Sequence, residues 1–218
     1  MYYVHLYGKN LRLPVGKIVC LGRNYVDHIQ ELGNEIPQEP VLFIKPATSI
    51  IPDGGRIVIP PYSSDCHHEI ELALLIGKKG KQIAEENAFD HIVGYGVAID
   101  LTLRDVQSRQ KAKGLPWEIA KGFDTACPLS DFIPAEKVAD PHALQLTLKV
   151  NDQIRQDGSS ALMMRKIPQI IAEMSAIFTL DEGDIILTGT PAGVGPIVSG
   201  DILNAEIEQV GRLQVSVA

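Results

Sequence analysis

The sequence predicts a mainly β protein with a few helices, an α+β fold in which strands dominate. Many short apolar runs are separated by Gly, Pro, Asn and Asp, which is the pattern of β-rich domains. Helical spacing of apolar residues is confined to a few short segments. A β-rich domain can run to about 250 residues, so the 218 residues are expected to form one domain, 1–218, with a short N-terminal extension at 1–15.

The predicted strands are apolar or alternating runs that end at turn residues. In chain order they cover residues 17–21, 41–45, 56–59, 67–77, 92–99, 144–150, 153–156, 184–187, 202–207 and 213–217. The run LQLTLKV at 144–150 alternates apolar and polar side chains, as a strand with one buried face does.

Helices are predicted at residues 25–32, 85–89, 103–113 and 167–180. The last of these has the clearest pattern, because Ile170, Ile171, Met174, Ile177 and Phe178 follow the spacing of one helix face. The segment 103–113 is polar on most sides.

Composition excludes several classes of protein. The net charge of −7 and the sequence pI of about 5.3 give no basic surface for nucleic acid. No apolar run approaches the roughly 18 residues of a membrane span, and the N-terminus does not resemble a signal peptide. Three cysteines without a CxxC pair indicate no disulfide framework. We therefore expect a cytoplasmic protein that binds small molecules and neither nucleic acid nor membrane.

Three acids lie where buried strands are predicted. Glu69 and Glu71, in HHEIELALLIG, are two residues apart and would share one face of a strand, and Asp100 ends another apolar run. Carboxylates are costly to bury together unless a cation neutralises them. A set of three carboxylates suits Mg²⁺ (or Mn²⁺) better than Zn²⁺. The spacing alone is equally compatible with acids that face solvent at a strand edge.

Two further features carry candidate functional side chains. His28 and Glu31 are three residues apart on a predicted helix, so the carboxylate can orient the imidazole as a general base. Thr190 lies in TGTPAGVGP, whose glycines allow close approach of the backbone to a ligand. Taken alone, the first is also compatible with a surface hydrogen bond and the second with a tight loop.

Six motifs taken together resemble the fumarylacetoacetate hydrolase family, in particular its short acylpyruvase and oxaloacetate decarboxylase members. The resemblance begins near residue 15 and extends to the C-terminus. In order, the motifs are GRNYVDHIQE, VLFIKP, HHEIELALLIG, GYGVAIDLTLRDVQ, GLPWEIAKGFD and ILTGTPAGVGP.

The resemblance implies a mixed β-sandwich roll of the C-terminal-domain type of this family, assembled as a homodimer. It implies that Glu69, Glu71 and Asp100 bind Mg²⁺ (or Mn²⁺). The roles that it implies for other side chains are catalytic for His28, Glu31 and Lys121, and substrate-binding for Arg104, Gln107 and Thr190.

The expected reaction is metal-dependent hydrolysis of a C–C bond in 2,4-dioxo acids (acylpyruvates such as acetylpyruvate or fumarylpyruvate), giving pyruvate and a carboxylic acid. Decarboxylation of oxaloacetate would use the same enolate. Two alternatives remain at this point. One is an isomerase or decarboxylase of aromatic-catabolism oxo-dienoic acids within the same family. The other is a Ca²⁺-stabilised, non-catalytic, β-rich binding module.

Overall fold

Strands form most of the regular structure, so the predicted fold class is confirmed. The structure is a computed structural model that describes residues 2–218. Its strands are β1 Tyr3–Leu6, β2 Leu11–Pro14, β3 Lys17–Gly22, β4 Val41–Pro46, β5 Ile50–Ile51, β6 Arg56–Ile57, β7 Cys66–His68, β8 Ile70–Ile76, β9 Ile92–Ile99, β10 Thr102–Leu103, β11 Cys127–Pro128, β12 Ile133–Pro134, β13 Gln145–Val150, β14 Gln153–Ser159, β15 Ile185–Leu187, β16 Gly195–Ile197, β17 Ile202–Ile207 and β18 Gly211–Val217.

The helices are short and lie between the strands. The α-helices are α1 Val26–Glu31, α2 Arg104–Ala112, α3 Glu118–Lys121 and α4 Ile167–Ile177, and the 3-10 helices are Ala47–Ser49, Glu85–His91, Ala135–Lys137 and Ser160–Leu162. No helix among residues 2–218 combines the length and the apolar character needed to cross a membrane.

Two sheets face each other across the main core. The larger has six strands in the order β12-β9-β8-β15-β3-β4, and the other has five in the order β14-β13-β17-β18-β6. Leu72 and Leu74 of β8 belong to the same apolar cluster as Leu146 and Leu148 of β13. Side chains from both sheets therefore fill the space between them, as in a β-sandwich.

The six-stranded sheet is also covered on its outer face. Ala73 and Leu75 of β8 point into a second cluster, which includes Leu6 from the β1–β2 hairpin and Phe132. Every residue of β8 is consequently buried. Burial on both faces explains why this strand reads as a continuous apolar run instead of an alternating one.

The structure corrects several sequence-based boundaries. The strand predicted at 67–77 is interrupted at Glu69, which separates β7 from β8. The strand predicted at 56–59 is only Arg56–Ile57, because Pro60 and Pro61 follow closely and cannot donate to a ladder. Residues 85–91 form a 3-10 helix, and the 1–15 extension contains the β1–β2 hairpin, whose Val4 and Leu6 are buried.

Candidate active site

The site lies where two neighbouring strands leave the six-stranded sheet together. Strands β8 and β9 pair in that sheet, and β7 and β10 pair in a separate three-stranded sheet, β10-β7-β16. The chain passes between the sheets at Glu69 in one direction and at Asp100 in the other, and Asp100 N–H donates to the Glu69 carbonyl at 2.7 Å. This crossing brings the two acids side by side.

The three predicted metal ligands converge and are almost completely buried. Glu69, Glu71 and Asp100 are 4%, 2% and 1% exposed, and each offers a carboxylate oxygen within 4.8 Å of the others. Three carboxylates held this closely without compensation would repel one another strongly. The neighbouring cations decide which of them can stay ionised.

Glu69 is neutralised by two cations. Lys121 Nζ donates to Glu69 Oε2 at 2.8 Å, and Arg104 Nη2 donates to Glu69 Oε1 at 2.5 Å. Lys121 also donates to Asp100 Oδ2 and to Thr102 Oγ1, each at 2.6 Å, so all three of its protons are used. Burial acts to raise the pKa of Glu69, but the charges of Lys121 and Arg104 outweigh it and hold the pKa well below its usual value.

Glu71 lies in the opposite situation. Its carboxylate accepts Gly189 N–H at 2.6 Å but has no ion-pair partner among residues 2–218. Burial, and then repulsion by Asp100 and Glu69, raises the pKa of Glu71 well above its usual value. The described chain alone therefore places no paired cation beside the Glu71 carboxylate, and a bound cation would fill that role.

Asp100 Oδ1 forms a buried ion pair but accepts no hydrogen bond from residues 2–218. Lys45 Nζ lies 2.7 Å from Asp100 Oδ1, but its protons are donated to the backbone carbonyls of Leu101, Lys121 and Ala126. Asp100 Oδ1 is buried and has no hydrogen-bond partner among the described residues. A buried acceptor without a donor is costly unless a ligand satisfies it. An Asp100 oxygen that accepts no hydrogen bond from the described chain and an oxygen-only donor set both fit a hard divalent cation such as Mg²⁺ or Mn²⁺.

His28 and Glu31 lie on α1, on one side of the cavity. His28 is 6% exposed, and its Nδ1 is 3.4 Å from Glu31 Oε2, which is longer than a good hydrogen bond. Glu31 is held more firmly by the backbone N–H of Gly193, at 3.0 Å. Contacts within a catalytic pair are often long before substrate binds, so this geometry is compatible with the predicted dyad.

Most of the predicted site residues line a single cavity of about 240 Å³. Eight of the nine predicted residues line it, and Glu31, behind His28, is the exception. Within the wall, Arg104 Nη1 donates to Gln107 Oε1 at 2.9 Å, which fixes both side chains on α2. The Lys121 ammonium also lies 4.8 Å from the centroid of the Phe43 ring.

Gln156 is a residue of the site that sequence reasoning missed. It is completely buried on β14, and its side chain uses every hydrogen-bonding position. Its Oε1 accepts from Ile70 N–H and from His68 Nδ1, each at 3.0 Å. Its Nε2 donates to Thr190 Oγ1 at 2.8 Å and to the Pro191 carbonyl at 2.9 Å. The backbone partners fix the orientation of the amide, and Thr190 is left with a proton to donate to a ligand.

The register of β14 explains why this residue was missed. Leu148 pairs with Gln156 and Lys149 pairs with Ile154, so Arg155 is an extra residue in the strand. Such a bulge redirects the side chains that follow it. It turns Gln156 inward, between the segment that carries Glu69 and the loop that carries Thr190.

We predict that Gln156→Leu lowers the free energy of unfolding by about 2–4 kcal/mol, because it leaves the Ile70 N–H and the Pro191 carbonyl buried without partners. Urea denaturation measures the loss. Gln153→Leu is the matched control, because Gln153 is exposed on the same strand and should change stability by less than about 0.5 kcal/mol. Equal effects of the two substitutions would contradict the role assigned to Gln156.

Comparison with known proteins identifies the same family along nearly the whole chain. The family model for the fumarylacetoacetate (FAA) hydrolase C-terminal domain matches residues 17–218. Oxaloacetate tautomerase YcgM of Escherichia coli K12 is 51% identical over 210 residues, which cover 95% of this chain and 96% of the relative. The mitochondrial oxaloacetate tautomerase FAHD1 of Mus musculus is 50% identical over 200 residues, which cover 92% and 90% of the two chains.

A solved structure agrees closely in its backbone. Fumarylpyruvate hydrolase from Pseudomonas aeruginosa, crystallised in complex with Mn²⁺ and pyruvate, superposes with a TM-score of 0.95 at 34% identity, covering 100% of this chain and 95% of that one. The Mn²⁺ in that protein and the buried acidic triad in this one support a divalent metal in the site described above. The chain belongs to the fumarylacetoacetate hydrolase family, whose members act on oxo acids.

Proposed function

We propose that this protein is an oxaloacetate tautomerase, which interconverts the enol and keto forms of its substrate by moving a proton at C3. The carrying observation is the buried triad with Lys121 bonded into it, because Lys121 and a cation held by the triad would place positive charge where an enolate would form. The tautomerases of Escherichia coli and mouse, each about half identical to this chain, support the choice of reaction. The sequence alone predicted a different principal reaction, acylpyruvate hydrolysis.

Three side chains in the cavity wall would bind and orient the substrate. The Thr190 hydroxyl accepts from Gln156, so its proton can be donated to a substrate carboxylate. Arg104 and Gln107, bonded to each other, present a fixed cationic and amide surface beside Glu69. A fixed orientation matters because proton transfer requires the substrate C3 within reach of the base.

Two ionisable groups would carry out the chemistry. Lys121 holds its charge beside the oxygen on which the negative charge of the enolate develops. His28 has Nδ1 directed towards Glu31, which leaves Nε2 to remove a proton from C3 or return one to it. A divalent cation bound by Glu69, Glu71 and Asp100, when present, supplies Lewis-acid polarisation of the 2-oxo group.

Hydrolysis of acylpyruvates is a second candidate activity, and the pairing of His28 with Glu31 favours it. An imidazole oriented by a carboxylate can deprotonate water as readily as carbon. The deprotonated water would attack the distal carbonyl, the C–C bond would break, and the bonding electrons would form the enolate of pyruvate beside Lys121. Decarboxylation of oxaloacetate ends in the same enolate and needs no base.

An assay with four substrates tests the proposal. The EDTA-treated protein is supplied with Mn²⁺ or Mg²⁺ and with enol-oxaloacetate, keto-oxaloacetate, acetylpyruvate or fumarylpyruvate, and ultraviolet absorbance follows the change in the amount of enol. We expect conversion of enol-oxaloacetate at least about 100-fold faster than with the metal ion alone, because general acid–base catalysis contributes this much. Faster loss of an acylpyruvate than of enol-oxaloacetate would make hydrolysis the principal reaction. Binding of metal without any turnover would favour the non-catalytic module.

A further inference from the structure

We propose that Arg23, Asn34 and Lys111 form a second carboxylate-binding subsite in the same cavity, which selects 2-oxo dicarboxylic acids over 2-oxo monocarboxylic acids. This inference deepens the proposed function and rests on it for the position of the substrate. None of the three residues was among the site residues predicted from the sequence. All three line the cavity that contains the acidic triad.

The two cations are held together by one neutral oxygen. Arg23 Nη2 donates to Asn34 Oδ1 at 3.0 Å, and Lys111 Nζ donates to the same oxygen at 2.9 Å. Neither cation forms an ion pair with a carboxylate of the described chain, residues 2–218. An amide oxygen carries no charge, so it orients the two groups without neutralising them. The cavity therefore holds two uncompensated positive charges, although the whole chain carries a net charge of −7.

The environment of Lys111 agrees with an excess of positive charge. Lys111 is exposed, and its pKa is lowered by partial desolvation and then by repulsion from Arg23 and Arg104. A ligand carboxylate placed between the two cations would relieve that repulsion. It would also form charge-assisted hydrogen bonds, which are among the stronger contacts available to a bound anion.

One face of α2 connects the two ends of the cavity. Arg104, Gln107, Ser108 and Lys111 all line it, and they follow the spacing i, i+3, i+4 and i+7 of a single helix face. Seven residues of helix span roughly 10 Å. Arg104 contacts Glu69 at the triad, and Lys111 lies two turns further out. A short oxo acid with its reacting end at the triad would direct a carboxylate on its other end towards Lys111.

The backbone at Arg23 provides an independent observation. Its φ of +59° lies in the left-handed region, which is unfavourable for a residue with a Cβ. Glycine would adopt this conformation without that cost. The guanidinium therefore occupies a position where its own backbone is strained, and strained residues cluster at ligand sites. The strain also provides a useful variant, because Arg23→Gly removes the charge and relieves the backbone together.

The test compares ligands that differ only in the distal carboxylate. Calorimetry on the Mn²⁺-loaded protein measures binding of 2-oxoglutarate and of 2-oxopentanoate, which have the same number of carbons. We expect 2-oxoglutarate to bind more tightly. We expect Lys111→Gln and Arg23→Gly each to reduce that preference on the order of ten-fold, as loss of a hydrogen bond to a charged group would. Lys113→Gln is the matched control, because Lys113 is exposed just after α2 and lies outside the cavity wall.

The same variants are then assayed with enol-oxaloacetate and acetylpyruvate, of which only the first has a distal carboxylate. A fall in kcat/KM that is larger for oxaloacetate supports the subsite. Equal falls for both substrates, or a wild-type protein that binds the two five-carbon acids equally, would overturn it. If the wild-type protein turns over neither substrate but still prefers 2-oxoglutarate, the proposed reaction fails and the subsite stands.

Discussion

Replacing Glu71 with glutamine is expected to abolish metal binding and to lower activity by at least about a thousand-fold, while making the metal-free protein more stable. Glutamine keeps the acceptor for Gly189 N–H, so the local backbone contact is preserved. The charge that a cation requires is lost, and Lewis-acid stabilisation is worth several kcal/mol. The repulsion among Glu71, Asp100 and Glu69 is lost with it.

The pH dependence of this effect has a definite sign. The pKa of Glu71 is raised in the folded protein, so its contribution to stability is full below the unfolded pKa of about 4.3 and is lost as pH rises through the folded value. The pKa of Glu69 is lowered, so its contribution is present above its unfolded pKa and is lost only in acid. Above about pH 5, ionisation of Glu71 therefore dominates the change in folding stability with pH at this site.

Thermal denaturation after EDTA treatment measures the result. We expect the Tm of Glu71→Gln to match that of the wild type near pH 5 and to exceed it by roughly 2–4 °C at pH 8, which corresponds to about 1 kcal/mol for a chain of this size. Added Mn²⁺ should raise the Tm of the wild type, with an increment that grows with pH, and should leave the variant unchanged. A fully active variant that responds to Mn²⁺ would refute the metal site.

Glu69→Gln is the informative comparison, because the pKa of Glu69 is lowered in the folded protein whereas the pKa of Glu71 is raised. It breaks the contacts with Lys121 and Arg104 and leaves two cations without their carboxylate. Breaking a buried ion pair in this way costs about 3–5 kcal/mol. We therefore expect the metal-free Tm to fall in Glu69→Gln and to rise at pH 8 in Glu71→Gln, although both variants lose the metal.

The triad shows how far sequence reasoning extends and where it stops. The cost of burying acids beside apolar strands drew attention to Glu69, Glu71 and Asp100 without any structure. The supposed geometry was partly wrong, because Glu69 does not lie in the same strand as Glu71. The carboxylates converge because two strands change sheets at one point, and that crossing depends on pairings between β7, β8, β9 and β10 that are distant in sequence.

Other residues of the site could not be predicted because the sequence around them shows no pattern that identifies them. Helix α3 contains four residues, Glu118–Lys121, too few to show a periodicity, so Lys121 was identified only through the family resemblance. Gln156 depends on a bulge, and no pattern in QIRQ reveals which residue is the extra one. The face of α2 that lines the cavity could in principle have been predicted, since its polar residues follow helical spacing. A polar helix face is also typical of an ordinary solvent-exposed surface, however, so the spacing alone did not identify it.

His28→Ala is expected to separate the reactions of the site. Tautomerisation of oxaloacetate and hydrolysis of acylpyruvates should each fall by about 10²–10⁴, because both need a group that transfers a proton. Decarboxylation of oxaloacetate should stay within a few-fold of the wild type, because loss of CO₂ leaves the electron pair on the enolate without removal of a proton by the protein. His5→Ala is the control, since His5 is exposed on β1 and does not line the cavity.

The pattern of losses identifies the role of His28 more firmly than the size of any one loss. A structural role would reduce all three reactions together and would lower the Tm, which the same samples report. The rate of decarboxylation depends on Lys121 and the triad. Among residues 2–218, the His28 side chain forms no hydrogen bond to any of these groups. If tautomerisation survives while hydrolysis is lost, His28 acts on water alone, and the proton at C3 must be transferred by another group in the cavity.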